Sequence, residues 1–145
     1  MKVRNGFVSN SSSSSFIVTM KNGEKMTKET LLEAFDVKKT SPLFNFANEL
    51  SDWIIRNVEE KDIAGIYEEY VYSDSDVKST DEMINEIVDD YSGISREDLE
   101  KIAKKEIRYY SGSACNDSGD ALESYLCDSD IKIDTDIIKI ESDTY

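Results

Sequence analysis

A chain of 145 residues has the length that buries one hydrophobic core rather than two. Its 31 Asp and Glu against 17 Lys and Arg give a formal net charge of −14, and histidine is absent. The charge disfavours direct binding of nucleic acid or anionic membranes, and the missing imidazole excludes Ser-His and Cys-His nucleophiles and His-containing zinc sites.

Eight Tyr, five Phe and one Trp supply the aromatic area of a folded body rather than a disordered chain. No stretch reaches the roughly 20 apolar residues of a membrane helix, and the start lacks the apolar region of a secretory signal, so a cytoplasmic protein is expected. Cys115 and Cys127, the only two cysteines, are read as reduced thiols, too few for an all-cysteine zinc site.

In chain order, residues 1–15 form a Ser-rich segment ahead of a single acidic domain over 16–145. Phe16-Ile-Val-Thr-Met20 reads as a strand, and Asn22-Gly23 as the turn that ends it. Thr27 caps a short helix over Lys28 to Asp36 with Leu31, Leu32 and Phe35 on one side. Ser41-Pro42 supplies an N-cap and a first helical position, and Leu43, Phe46, Ala47, Leu50, Trp53, Ile54 and Val58 then recur at helical spacing as a core-facing stripe.

Ile63 to Tyr72 has helical apolar spacing, although Tyr70-Val-Tyr72 favours a strand; helix is the reading adopted. Ser79 with Glu82 has the form of a capping box, and Met83, Ile84, Ile87, Val88 and Tyr91 make the apolar face of the helix behind it, which Gly93 stops. Ser95 caps the next helix, with Leu99, Ile102, Ala103 and Ile107 as its apolar line and Gly112 as its close. A loop over Ser111 to Gly119, a short helix over Asp120 to Cys127 and strands at Ile131–Ile133 and Ile137–Ile140 complete the chain. The expected fold is α+β and mostly helical, with a small antiparallel or mixed sheet joining the strand at about 16–20 to those at about 131–140.

Charge is concentrated in the middle: residues 59–98 carry three Lys/Arg against fourteen Asp/Glu, whereas residues 1–58 carry eight against six. On the helix from Thr80, Glu82, Glu86, Asp89 and Asp90 point away from the apolar face. Helix positions three or four apart lie about 5–6 Å from one another, which makes a row of carboxylates at a spacing close to that of backbone phosphates. Glu68 and Glu69 extend this surface if the fold brings them alongside. The plainer reading is a solvated face that keeps the protein soluble; the sharper one is a nucleic-acid mimic for a basic partner.

Asp74/Asp76, Asp128/Asp130 and Asp134/Asp136 are Asp-x-Asp pairs. None continues into an EF-hand loop, because from Asp128 the sixth position is Ile133 and the twelfth Lys139. They are read as turn residues, and neither a metal nor a cofactor is expected. The serine run itself has three readings: a flexible segment, an anion-binding loop assisted by Lys2 or Arg4, and a short signal read or modified by another molecule.

The string Arg4-Asn-Gly-Phe-Val-Ser-Asn-Ser-Ser-Ser-Ser-Ser-Phe-Ile-Val18 resembles an opening shared by uncharacterised proteins of bacteriophages and bacteria whose bodies otherwise look unrelated. The resemblance covers the opening alone and carries no activity. It implies a portable module, here Arg4, Phe7, Asn10, Ser11, Ser12, Ser13, Ser14, Ser15 and Phe16, and a phage or mobile-element setting. Together with the charge it points to a small non-catalytic acidic protein in a host cytoplasm, an inhibitor or mimic acting on a basic nucleic-acid-handling or defence protein. The alternative is a nucleotide- or anion-binding protein that uses the serine loop.

Overall fold

The computed structural model describes residues 13–70, 79–90, 93–115 and 131–144. Strand β1 (Ser13–Met20) leads to α1 (Lys28–Phe35), α2 (Phe44–Asn57) and β2 (Val58–Lys61). Three helices follow, α3 (Ile63–Tyr70), α4 (Thr80–Asp90) and α5 (Arg96–Ala103), and then β3 (Arg108–Cys115), β4 (Lys132–Asp134) and β5 (Ile138–Thr144). The strands form one antiparallel sheet in the order β2-β3-β1-β5-β4. The architecture is α+β, and the N-terminal strand pairs with the C-terminal one as expected.

Side chains alternate across a strand, and β1 uses both faces. Phe16, Val18 and Met20 join Leu31 of α1, Leu50, Trp53 and Ile54 of α2, Tyr110 and Ala114 of β3, and Ile138 and Ile140 of β5 in one core. Ile17, one position out of phase, packs against a second core made by Ile63 and Ile66 of α3, Ile84 and Ile87 of α4, Leu99 and Ile102 of α5, and Tyr109. The result is three layers, with α1 and α2 on one side of the sheet and α3, α4 and α5 on the other. Adjacent Tyr109 and Tyr110 serve opposite cores, and the Tyr110 hydroxyl accepts the Met26 N–H at 3.1 Å, fixing the chain ahead of α1.

Three of the four expected caps lie where the sequence puts them. Thr27 accepts from the Thr30 N–H at 3.2 Å, and Ser95 from the Asp98 N–H at 3.1 Å. Ser79 accepts from the Glu82 N–H at 3.2 Å and its hydroxyl donates to the Glu82 carboxylate at 3.3 Å. Each occupies an otherwise unpaired donor of a first helical turn. Gly23, at φ 76°, makes the turn after β1, and Asn22 accepts from the Glu24 N–H beside it.

Six expectations are corrected. First, β1 begins at Ser13 rather than Phe16, so the last three serines are sheet backbone, paired with β3 and β5. Second, α2 begins at Phe44, after a turn in which the Ser41 hydroxyl and carbonyl take the Leu43 and Phe44 N–H groups. Third, the apolar stripe is buried from Ala47 onward, while Leu43 is 63% and Phe46 38% exposed; the helical pattern runs past what the sheet and α1 cover.

Fourth, Val58–Lys61 is a strand and not the end of a helix. Fifth, α5 does not run on towards Gly112: Lys105 adopts a left-handed conformation at φ 62°, and β3 begins at Arg108. In the strand that follows, Tyr109 and Tyr110 face opposite sides of the sheet and are buried in the two separate cores. Gly112 instead makes room for β2, since a Cβ there would lie 2.2 Å from the Asn57 carbonyl oxygen. Sixth, the expected loop from Ser111 is strand as far as Cys115. The expected helix over 120–127 lies outside the described residues. None of the described helices is long and apolar enough to cross a membrane.

Candidate functional site

Helices α3 and α4 pack directly on each other, with Ile63, Ile66, Ile84 and Ile87 buried at their inner faces. The 3.6-residue period that turns those isoleucines inward turns the carboxylates outward. Glu68 and Glu69 on α3, and Glu82, Asp89 and Asp90 on α4, are exposed, while Glu86 is half-buried. The acids of the two helices therefore belong to one packed helix pair. Lys and Arg side chains of the described residues pair with Asp134, Asp52, Glu59, Glu97, Glu60 and Glu141. Glu68, Glu82, Asp89 and Asp90 take part in none of these ion pairs, so no Lys or Arg of the described residues neutralises them.

Glu69 points elsewhere as well. Its carboxylate accepts the Ser111 hydroxyl at 2.9 Å, and Ser111 is 4% exposed. This bond belongs to a polar cleft of about 590 Å³ between α3 and the β1, β3 and β2 part of the sheet. Ser15, Ser111, Ser113 and Asn57 line it together with Glu59, Glu68, Glu69 and Lys61. Ser15 of β1 is the cross-strand partner of Ser113 of β3, so one end of the serine run and one end of the acidic surface meet in a single cleft. Nothing local in the sequence joins these two features, because Ser15 and Ser113 are 98 positions apart.

Arg4, Phe7, Asn10, Ser11 and Ser12 lie outside the described residues. Ser13 and Ser14 are in β1, paired with Cys115 and Ala114. Phe16 is fully buried, its ring 5.3 Å from that of Trp53, so within the folded protein it is a core residue. The proposed module thus ends inside the central strand of the sheet.

Of the Asp-x-Asp pairs, Asp134/Asp136 flanks the turn between β4 and β5, where the Thr135 hydroxyl accepts from the Ile137 and Ile138 N–H groups. Asp74/Asp76 and Asp128/Asp130 lie outside the described residues. Asp134 is hydrogen-bonded to the Lys21 ammonium, which also donates to the Thr135 carbonyl at 2.8 Å. That hydrogen bond, with the charges of Lys21 and Lys139, holds the Asp134 carboxyl below its ordinary range. Among the described residues no group of three or more acidic or thiol side chains is placed to hold a metal ion.

No family model matches the chain, and neither the curated proteins nor the solved structures contain a match to it.

Proposed function

We propose that the protein is a non-catalytic binding protein whose α3–α4 flank engages a basic protein surface, acting as an inhibitor or nucleic-acid mimic against a nucleic-acid-handling or defence protein of a host cell. The observation that carries the reading is the unneutralised set Glu68, Glu82, Asp89 and Asp90 on one packed helix pair. A merely solubilising surface gains from interspersed charges of both signs, whereas the described residues of α3 and α4 carry acids and no Lys or Arg. Such a patch raises the encounter rate with a basic partner and rejects acidic ones. The resemblance of the opening supports the phage or mobile-element setting of the proposal.

The serine end of the sheet favours this reading over anion binding, because among the described residues Glu59, Glu68 and Glu69 share its cleft with a single lysine, Lys61. A phosphate there would meet carboxylates. The test is affinity capture from host lysate at low ionic strength followed by a salt step. A basic nucleic-acid-handling protein released at about 1 M salt, where the screening length is about 3 Å, is the expected result. Retention only of neutral or acidic proteins, or retention indifferent to salt, contradicts it.

A further inference from the structure

On the sheet face turned towards α3, α4 and α5, Thr19 has Tyr109 as its cross-strand neighbour on one side and Lys139 on the other, and Asp134 lies beyond Lys139. Neighbouring strands are about 4.8 Å apart, so this row passes from a buried phenol ring to an ammonium group over about 10 Å. The helical layer covers the Tyr109 end. It does not close over β5, whose Lys139 and Glu141 on the same face cannot be buried without a desolvation cost. The gap is a groove of about 330 Å³ between α5 and the sheet, floored by Ile17, Ile94, Ile102 and Tyr109. That volume lies at the small end of the roughly 300–1,000 Å³ typical of ligand pockets.

The rim carries both signs of charge, with Lys21, Lys101 and Lys139 set among Asp98, Asp134 and Glu141. Lys21 is held by Asp134 and Thr135. Among the described residues, Lys139 and Lys101 make only partly exposed pairs of 3.3 Å, with Glu141 and Glu97. Exposed pairs of this kind contribute little, so an incoming carboxylate can take over either ammonium group at small cost. Asp98, on the first turn of α5, takes part in none of the ion pairs of the described residues. A ligand of one sign would therefore meet an opposing charge, whereas a ligand with an anionic and a cationic group would meet a partner for each.

We infer that this groove binds a small aromatic zwitterion of the aromatic amino-acid type, its ring on the Ile102 and Tyr109 floor, its carboxylate at Lys139 and Lys101, and its ammonium at Asp98. The site is independent of the acidic α3–α4 flank and stands or falls separately from the binding function proposed above.

The experiment is a methyl NMR titration of the full chain with three indole probes: L-tryptophan, indole-3-propionate, which keeps only the anionic group, and tryptamine, which keeps only the cationic one. L-Tryptophan is expected to shift the Ile17, Ile94 and Ile102 methyls and to bind about fivefold more tightly than either single-charge probe. Lys139→Met should weaken L-tryptophan and indole-3-propionate while leaving tryptamine unchanged, and Asp98→Asn should weaken L-tryptophan and tryptamine while leaving indole-3-propionate unchanged. Absence of groove shifts with every probe up to about 10 mM, binding of a single-charge probe as tight as that of L-tryptophan, or equal weakening of all three probes by both variants would overturn the assignment. The wild-type comparison decides the question even if a variant fails to fold.

Discussion

The ring of Phe16 lies 5.3 Å from the indole of Trp53, with the two planes tilted by 60°. This contact joins the residue that ends the serine-rich opening to the middle of α2, and Phe16 and Trp53 are both buried in the larger core. The opening is therefore bound into the fold at its C-terminal end. Phe16→Ala removes a buried aromatic side chain and its tilted ring partner, and should cost about 3–5 kcal/mol of stability. Urea unfolding followed by the fluorescence of the only Trp checks this directly. A loss under about 1 kcal/mol would show that Phe16 is not part of the core.

Gly112 is set by the approach of another backbone. Its Cα faces the Asn57 carbonyl where α2 passes into β2, and Val58 is its cross-strand partner. Gly112→Ala should destabilise the protein by about 1–3 kcal/mol through the forced displacement of β2. Amide exchange in Val58–Lys61 should rise with it, and unchanged protection there would contradict the close approach.

Ser111 donates to Glu69 from a buried position, but the Glu69 carboxylate is exposed and recovers water when the hydroxyl is removed. The cost of Ser111→Ala should accordingly stay near that of an ordinary hydrogen bond, about 0.5–1.5 kcal/mol, rather than that of a stranded buried charge. Comparison of urea midpoints for wild type, Ser111→Ala and Glu69→Gln measures it.

Asp134 provides a pH dependence with a definite sign. Its carboxyl is held below the ordinary range in the folded protein, chiefly by the hydrogen bond from Lys21. A group with a depressed folded pKa stabilises the fold fully above its unfolded pKa, and that contribution disappears as the pH falls through the folded value. Carbon-detected NMR titration should show Asp134 ionising below the ordinary carboxyl range, and Lys21→Met should return it towards the ordinary value. Because the pair is exposed, the associated change in overall stability should be small.

The legible parts of this molecule were those governed by neighbours in sequence. Thr27, Ser79 and Ser95 announce three helix starts because a cap is a contact over two or three positions. The outward positions Glu82, Asp89 and Asp90 follow from helical period alone, whereas Glu86, expected to point out with them, is half-buried. Val58–Lys61 escaped notice because a four-residue strand with two adjacent glutamates has no pattern of its own and exists only by pairing with β3. The helical spacing of Leu99, Ile102 and Ile107 concealed β3, since the left-handed turn at Lys105 occurs without a glycine to signal it. The cleft shared by Ser15, Ser113 and Glu69 depends on strand order, which no local rule supplies.

The most direct test of the account is the affinity of the captured basic partner for a variant carrying Glu68→Lys, Glu82→Lys, Asp89→Lys and Asp90→Lys, with the half-buried Glu86 left unchanged. These four side chains are exposed and unpaired by the Lys and Arg of the described residues, so the variant should keep the wild-type unfolding free energy to within about 0.5 kcal/mol per site at Glu68, Asp89 and Asp90. It should lose about 1 kcal/mol at Glu82, which gives up the hydrogen bond from the Ser79 hydroxyl. Loss of partner binding by about 100-fold or more at low salt, with the fold intact, is the result expected if the α3–α4 flank is the interface. Partner affinity unchanged in a folded variant would place the interface elsewhere and contradict the central claim.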